Sequence, residues 1–327
     1  MTWVVWRQYR VQAAVAAAIL AVFAVLMLVT GLQMASQYHS ALASCAVSKS
    51  CGNLVNTLFL GSHAVGFLVI MTLGVPALLG LFWGAPLVAA ELEAGTIRFA
   101  WMQSVTRRRW LAVKAGWLLL AAAAWGGAVS ALVTWWSGPD NALQLNAFKP
   151  GRFDIMGIVP VGYSLFAMAL GIAAGALLRR TVPAMAVTLA GFIAVRMVIT
   201  ELVRPHYMTA VTVTDNFFTS FTPPAGSWVF AQGLMGPHGQ ALSQDGTGVL
   251  IDGVPVSALP PSCQALAGHG DHSGVLSCLK ASGFHPFVTY QPGSRYWAFQ
   301  GIETGIFVVL AAALIAVTVI VVLRRDA

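Results

Sequence analysis

Residues 11–30, VQAAVAAAILAVFAVLMLVT, form the apolar run that decides the fold class, because they contain no charged side chain. A helix of this length rises about 30 Å, which is the thickness of the hydrocarbon core of a bilayer. The run is longer than the apolar part of a cleaved signal peptide, and no small-residue cleavage pattern follows it. We therefore interpret it as a retained membrane span, at about residues 11–34.

Further apolar runs of similar length recur along the chain. They lie at about residues 62–88, 111–136, 155–178, 182–203 and 299–323. The sequence is 58% hydrophobic and 9% charged, with a mean hydropathy of +0.77, which does not describe a soluble surface. Because a helix satisfies its own backbone hydrogen bonds in lipid without closing a barrel, we predict an all-α integral membrane protein with six transmembrane helices.

Lysine and arginine residues are grouped beside those ends of the runs that fall on one side of the membrane. The groups are Arg7 with Arg10, the segment 98–114, Arg179 with Arg180, and Arg324 with Arg325. By the positive-inside rule this side is the cytoplasm, so both termini are predicted to be cytoplasmic. These membrane-flanking groups explain the net charge of +7, and we expect lipid but no nucleic acid as a partner.

All four cysteines lie in segments predicted on the outer side, which are residues 35–61, 137–154 and 204–298. Cys45 with Cys51, and Cys263 with Cys278, each fall within one of these loops. In an oxidising compartment each loop is predicted to close its own disulfide, and the alternative is four free thiols. Neither pair has the C-x-x-C spacing of a zinc site, so we expect no metal.

The long outer segment divides the chain into three regions. Residues 1–203 hold the first five spans, residues 204–298 form a small mixed extracytoplasmic domain, and residues 299–327 hold the sixth span and a cytoplasmic tail. Within the outer domain the sequence GVLIDGVPV, at residues 248–256, predicts a β-hairpin that turns at Asp252-Gly253.

Two shorter patterns concern how the helices enter and pack in the membrane. The N-terminal sequence TWVVWRQYR, at residues 2–10, alternates aromatic and basic side chains and predicts an amphipathic elbow helix at the level of the lipid headgroups. The sequence GIAAG places Gly171 and Gly175 on one helix face, which favours close approach of another helix.

The cytoplasmic connection between the second and third spans reads AAELEAGTIRFAWMQSVTRRRWLAVK, at residues 89–114. We predict a short amphipathic helix at about residues 95–106, with Thr96 as its N-cap. Its apolar face consists of Ile97, Trp101 and Val105, and it closes with the basic run Arg107, Arg108 and Arg109. Two interpretations stay open, an interfacial helix anchored on lipid and a docking helix for a cytoplasmic partner.

The elbow, this connection, and the sequence YQPGSRYWAFQGIETGIF at residues 290–307 together resemble an ABC-2-type transporter permease of the bacterial branch typical of actinobacteria. The resemblance implies a six-span subunit of a bacterial plasma-membrane exporter for amphipathic small molecules, drugs or lipids. It also implies a second permease copy, as a homodimer or with a related chain, and separate ATP-binding subunits. ATP and Mg would bind those subunits, and this chain would hold no cofactor.

The resemblance also assigns a role to the cytoplasmic connection as the coupling helix that seats on the ATPase. The residues it implies are Glu91, Glu93, Gly95, Thr96, Arg98 and Gln103, together with Arg107, Arg108 and Arg109. The chain has no G-x-x-x-x-G-K-[ST] phosphate loop and no nucleophile with a neighbouring base, so it is not expected to be an enzyme by itself. The alternative function is a non-transporting scaffold or sensor whose outer domain binds a ligand.

Charged residues inside the predicted spans are the last candidate site. Arg196 and Glu201 lie in the fifth span and Glu303 in the sixth, all in the outer half of the bilayer. An unpaired charge at such a depth costs at least about 2.5–3.5 kcal/mol, so partners are expected. From their similar depth we predict that Arg196 pairs with Glu303, either to fix the register of the two helices or as part of a translocation path.

Overall fold

The structure is a computed structural model that describes residues 2–45, 63–93, 106–137, 148, 151–214, 223–224, 226–239, 241–243, 250–251, 254–255, 259–268 and 272–324. Its α-helices are α1 (Thr2–Cys45), α2 (His63–Leu79), α3 (Ala85–Glu93), α4 (Arg107–Trp136), α5 (Val159–Leu178), α6 (Thr181–Val198), α7 (Pro261–Gly268), α8 (His272–Ala281) and α9 (Tyr296–Arg324). A π-helical turn, Gly80–Gly84, joins α2 to α3. A second π-turn, Ile199–Val203, and a 3-10 turn, Arg204–His206, extend α6.

Helices long and apolar enough to cross a membrane are the main feature of the described chain. Five stretches qualify: Ile70–Glu93, Arg108–Trp136, Val159–Leu178, Thr181–His206 and Gly293–Arg324. A shorter apolar stretch, Ala17–Gln33, lies within α1, where the first span is predicted. The expected mainly helical membrane architecture is therefore present. The separate elbow helix is not, because α1 runs from Thr2 as a single helix.

The central helix of the membrane unit is α5, which packs against α2, α3, α4 and α6. Its crossing with the π-turn of Gly80–Gly84 depends on glycine. A Cβ atom on Gly171 would lie 2.3 Å from the carbonyl oxygen of Gly80, and one on Gly175 would lie 2.4 Å from that of Ala85. The predicted close approach at Gly171 and Gly175 is confirmed, because backbone meets backbone there.

We expect Gly171→Ala to destabilise the membrane unit by about 1–3 kcal/mol, because the backbone of Gly80 must move to admit the methyl group. Gly116→Ala is the matched control, since a Cβ atom at Gly116 would meet nothing within 4 Å. Thermal unfolding of the two purified variants in the same detergent checks this. Equal melting temperatures would contradict the account of the crossing.

The chain also forms a second compact unit, made of residues 144–148 and 208–296. It contains a four-stranded antiparallel sheet in the order β1-β6-β2-β3 and a two-stranded hairpin, β4-β5. The strands are β1 (Val211–Thr214), β2 (Trp228–Met235), β3 (Ala241–Ser243), β4 (Leu250–Ile251), β5 (Val254–Pro255) and β6 (His285–Gln291). Leu250 pairs with Pro255 and Ile251 with Val254, so the predicted hairpin is confirmed in its strands.

Helices α7 and α8 of this unit are joined by the Cys263–Cys278 disulfide that the sequence predicts. The Cα atoms of the two cysteines are 5.7 Å apart, and Cys263 is buried beside Leu234, Val275 and Leu279. Closing a loop of this length contributes about 3 kcal/mol in the chain-entropy account. The Cys45–Cys51 pair lies outside the described side chains and stays a prediction.

Candidate functional site: a buried charged cluster

Five side chains of the membrane unit meet in a buried group that we call the charged cluster: Asp154, Tyr163, Arg196, Arg204 and Glu303. Arg204 donates to both carboxylate oxygens of Glu303, from Nε over 2.8 Å and from Nη2 over 2.7 Å, and its Nη2 also contacts Asp154. Arg196 Nη2 lies 2.9 Å from the other oxygen of Asp154. The two cations and two anions balance, so the cluster is electrically neutral when all four are ionised.

Two tyrosine hydroxyls complete the polar contacts of the carboxylates. The Tyr163 hydroxyl lies 2.5 Å from Glu303 Oε1 and 3.0 Å from Asp154 Oδ1, and its single proton serves one of them at a time. Tyr207 donates to Glu303 Oε2 over 3.2 Å. Arg204 and Glu303 are completely buried. An ionised pair so far from water persists because each charge has several hydrogen-bonding partners.

The two arginines share one face of the fifth span because of the π-turn Ile199–Val203. In a regular α-helix, residues eight positions apart such as Arg196 and Arg204 differ in direction by roughly 80°. The π-turn fits an additional residue into one turn, which reduces this difference to roughly 20°. Both guanidinium groups can therefore reach Asp154, although a regular helix would turn Arg204 away.

Asp154 lies in the connection between α4 and α5, and hydrogen bonds from two helices fix this connection. Gln300 of α9 accepts from the backbone N–H groups of Ile158 and Val159, both over 2.9 Å, and donates to the Phe153 carbonyl over 3.0 Å. Gly157, at φ +71°, passes so close that a Cβ atom would lie 2.6 Å from Gln300 Oε1. The loop is thus held rigidly enough to place Asp154 between the two arginines.

The predicted Arg196–Glu303 pair is wrong in its partners. Glu303 pairs with Arg204, and Arg196 pairs with Asp154, which connects the two pairs. Glu201 is exposed and lies outside the charged cluster. Sequence reasoning missed Arg204 because it falls one residue beyond the predicted fifth span, and Asp154 because it falls one residue before the fourth.

The electrostatics of Asp154 follow from its position between two cations. Burial raises the pKa of its carboxyl, but the guanidinium groups of Arg204 and Arg196 together lower that pKa by more. The net pKa is therefore below its ordinary value of 3.8. A carboxyl whose pKa is lowered on folding stabilises the folded state above the ordinary value, and this stabilisation is lost as the pH falls through the folded-state pKa.

We therefore expect Asp154→Asn to lower the melting temperature by an amount that is constant from pH 7 to about 4 and that shrinks below this range. Melting curves of the wild-type and variant chains, measured in parallel across this range, give the difference directly. A difference that already declines between about pH 7 and 5 would contradict the lowered pKa.

At the opposite ends of these helices the structure describes both flanks of the cytoplasmic connection. Glu91 of α3 forms an ion pair with Lys114 of α4, and Glu93 accepts a hydrogen bond from Thr181 of α6 over 2.5 Å. The predicted residues Gly95, Thr96, Ile97, Arg98, Trp101, Gln103 and Val105 lie outside the described part of the chain, so their helix stays a prediction.

The basic run is placed differently from its prediction. Thr106 is extended and is the N-cap of α4, with its hydroxyl accepting from the Arg109 N–H over 3.4 Å. Arg107, Arg108 and Arg109 therefore form the first turn of the third-span helix and do not close the preceding one. The reason is local, because the threonine hydroxyl satisfies a backbone N–H that the start of α4 leaves free.

Comparison with known proteins agrees with this arrangement of apolar helices around a connected polar cluster. The family model described as ABC-2 membrane transporter related matches residues 17–204, more than half of the chain. The chain therefore belongs to this family and is an ABC-2-type permease, a multi-pass membrane component of a transporter. No curated protein and no solved structure matches the chain significantly. The family match ends at Arg204, so it includes both arginines of the charged cluster but not Glu303.

Proposed function

We propose that the chain is the permease subunit of an ATP-driven exporter, with six spans and both termini in the cytoplasm. In this proposal two permease copies and two ATP-binding subunits form the transporter, and the ATP-binding subunits hold ATP and Mg. The substrate class is an amphipathic small molecule, drug or lipid, and the membrane is the bacterial plasma membrane. The observation that carries the proposal is the family match across residues 17–204, which contains the whole cytoplasmic connection.

Contacts at the flanks of the connection support a mechanical role for it. The Glu91–Lys114 pair is largely buried and holds the end of α3 against the start of α4. Lys114 also lies 4.9 Å from the centre of the Trp110 ring. Because Glu93 is hydrogen-bonded to Thr181, α6 is joined to the same point. A push on the connection would reach three spans together, as a rigid-body switch between two packings requires.

The position of the basic run supports an acidic partner surface at this end. Arg108 and Arg109 are exposed in the first turn of α4, where the helix dipole disfavours cations by about 0.3–1 kcal/mol each. External negative charge would offset this cost, and an acidic rim on the ATPase supplies it at the place where the docking helix would seat.

Transport is tested without choosing a substrate beforehand. Inside-out vesicles from cells that express the chain with its ATPase are incubated with an extract of the native cells, with ATP or a non-hydrolysable analogue. Mass spectrometry then identifies the compounds that enter the vesicles. We expect at least one amphipathic compound to accumulate only with ATP and only when the chain is present. Identical contents with and without the chain would favour the alternative, a non-transporting scaffold or sensor.

A further inference from the structure

The charged cluster joins segments from across the membrane unit at one end of its helices. Its two arginines belong to α6, Glu303 to α9 and Tyr163 to α5, while Asp154 belongs to the connection before α5. Arg196 also donates from Nη1 to the Leu73 carbonyl of α2 over 3.3 Å. Four membrane helices are therefore held together through one polar group, at the end remote from the cytoplasmic connection.

Two of the segments that it joins contain irregular turns. The Leu73 carbonyl lies three residues before Pro76, where the proline disturbs the helical hydrogen bonds of α2. Arg204 directly follows the π-turn Ile199–Val203 in the fifth span. Prolines and π-turns are the places where membrane helices bend or change register. The cluster thus connects α2 and α6 at points where both can move.

A polar cavity lies directly beside the cluster. It has room for about one water molecule, and it is lined by Asp154, Tyr163 and Ser164 as well as by apolar residues of α2 and α4. Within the described structure, Nη1 of Arg204 is buried without a hydrogen-bond partner. Water that entered from the cavity would satisfy this donor and hydrate the carboxylates, so separation of the helices is compensated by hydration of the charges.

We infer that the charged cluster is the latch of the outer gate, and that the structure shows this gate closed. The inference rests on the proposed function, since it assigns the cluster to the exit of the translocation path. In the closed gate the four charges neutralise one another in a dry site. In the open gate α6 and α9 separate, and water replaces the contacts between Arg204 and Glu303. A change that unbalances the buried charges therefore favours the open gate.

The test measures access to a cysteine introduced just below the latch. Ser164→Cys places a thiol at a completely buried position that lines the cavity. A membrane-impermeant maleimide is added outside intact cells, and the labelling rate is compared with that of the chain without the introduced cysteine. We expect Glu303→Gln to raise the rate about tenfold, as for a gate that is open ~1% of the time and becomes open ~10% of the time. Glu303→Gln removes one negative charge and keeps the shape of the side chain.

Two controls separate an open gate from a loosened fold. Ala176→Cys lies about 18 Å further along α5 and is also buried, so general loosening would expose it, whereas opening of the outer gate would not. Thr304→Val changes a buried hydroxyl without a partner in the described structure, beside Glu303 on α9, and should leave labelling at Ser164→Cys unchanged. Arg204→Gln combined with Glu303→Gln restores charge balance and should return the rate towards that of the wild type.

Tyr207→Phe serves if Glu303→Gln does not fold, because it removes one hydrogen bond and no charge. It should raise the labelling rate about threefold. The latch is rejected if labelling of Ser164→Cys is unchanged in the variant that folds, or if Ala176→Cys is labelled faster to the same extent. The assay needs neither the ATPase nor a substrate. Its failure would therefore leave the permease assignment standing, and an absent ATPase would leave the labelling result unchanged.

Discussion

Arg204→Leu is expected to destabilise the membrane unit by about 3–5 kcal/mol, because it leaves the completely buried Glu303 without its cation. Asp154 would keep Arg196 as a partner, so the cost falls mainly on Glu303. The hydroxyls of Tyr163 and Tyr207 remain near this carboxylate, but they do not balance its charge. We expect the purified variant to show a much smaller monodisperse fraction and a strongly lowered melting temperature.

The matched control removes both members of the pair. Arg204→Leu combined with Glu303→Leu leaves no unpaired charge in the cluster, and replacing a buried ion pair by apolar side chains is often neutral or stabilising. The double variant should therefore recover most of the stability that the single variant loses. If the two variants melt at the same low temperature, the loss comes from packing of the arginine stem and not from the abandoned charge.

Trp101→Ala is expected to weaken ATPase binding by about 2 kcal/mol or more, which is roughly thirtyfold in affinity. The proposal makes Trp101 the central aromatic anchor of the docking helix, between Ile97 and Val105 on its apolar face. The chain itself should stay folded and inserted in the membrane, because the variant changes a side chain of the cytoplasmic connection. Pull-down of the ATPase with the variant chain, at matched membrane levels, measures the loss.

Arg98→Ala is the comparison for this experiment. As a rim charge, Arg98 should matter less than Trp101, and its effect should fall as the salt concentration rises. The interfacial-anchor interpretation makes a different prediction, in which Trp101→Ala loosens the helix from lipid and leaves the complex intact. Normal recovery of the ATPase with the Trp101→Ala chain would therefore reject the docking role.

The helices could be predicted from the sequence because an apolar run of membrane length has only one economical structure in lipid. The predicted runs 155–178 and 182–203 correspond closely to α5 (Val159–Leu178) and to α6 with its π-turn. The crossing at Gly171 and Gly175 was equally visible, since only small residues allow backbones to come so close. Each of these features depends on local pattern alone.

The partners within the charged cluster could not be predicted in the same way. Depth was estimated from a constant rise per residue, which places Arg196 near Glu303 but says nothing about the direction of either side chain. The direction is set by the π-turn Ile199–Val203, and no sequence rule that we used signals a π-turn. Asp154 and Arg204 were each assigned to an outer loop. A proline directly after Arg204 and an acidic residue directly before an apolar run were the available signals.

The central claim, that this permease works with a separate ATP-binding subunit, is tested most directly by native mass spectrometry. The tagged chain is extracted from its own membrane in a mild detergent, and the intact complex is weighed. The account predicts two copies of the 34.5 kDa chain together with two copies of a protein that contains a phosphate-loop sequence. Recovery of the chain alone, or only with proteins that lack any nucleotide-binding sequence, would contradict it.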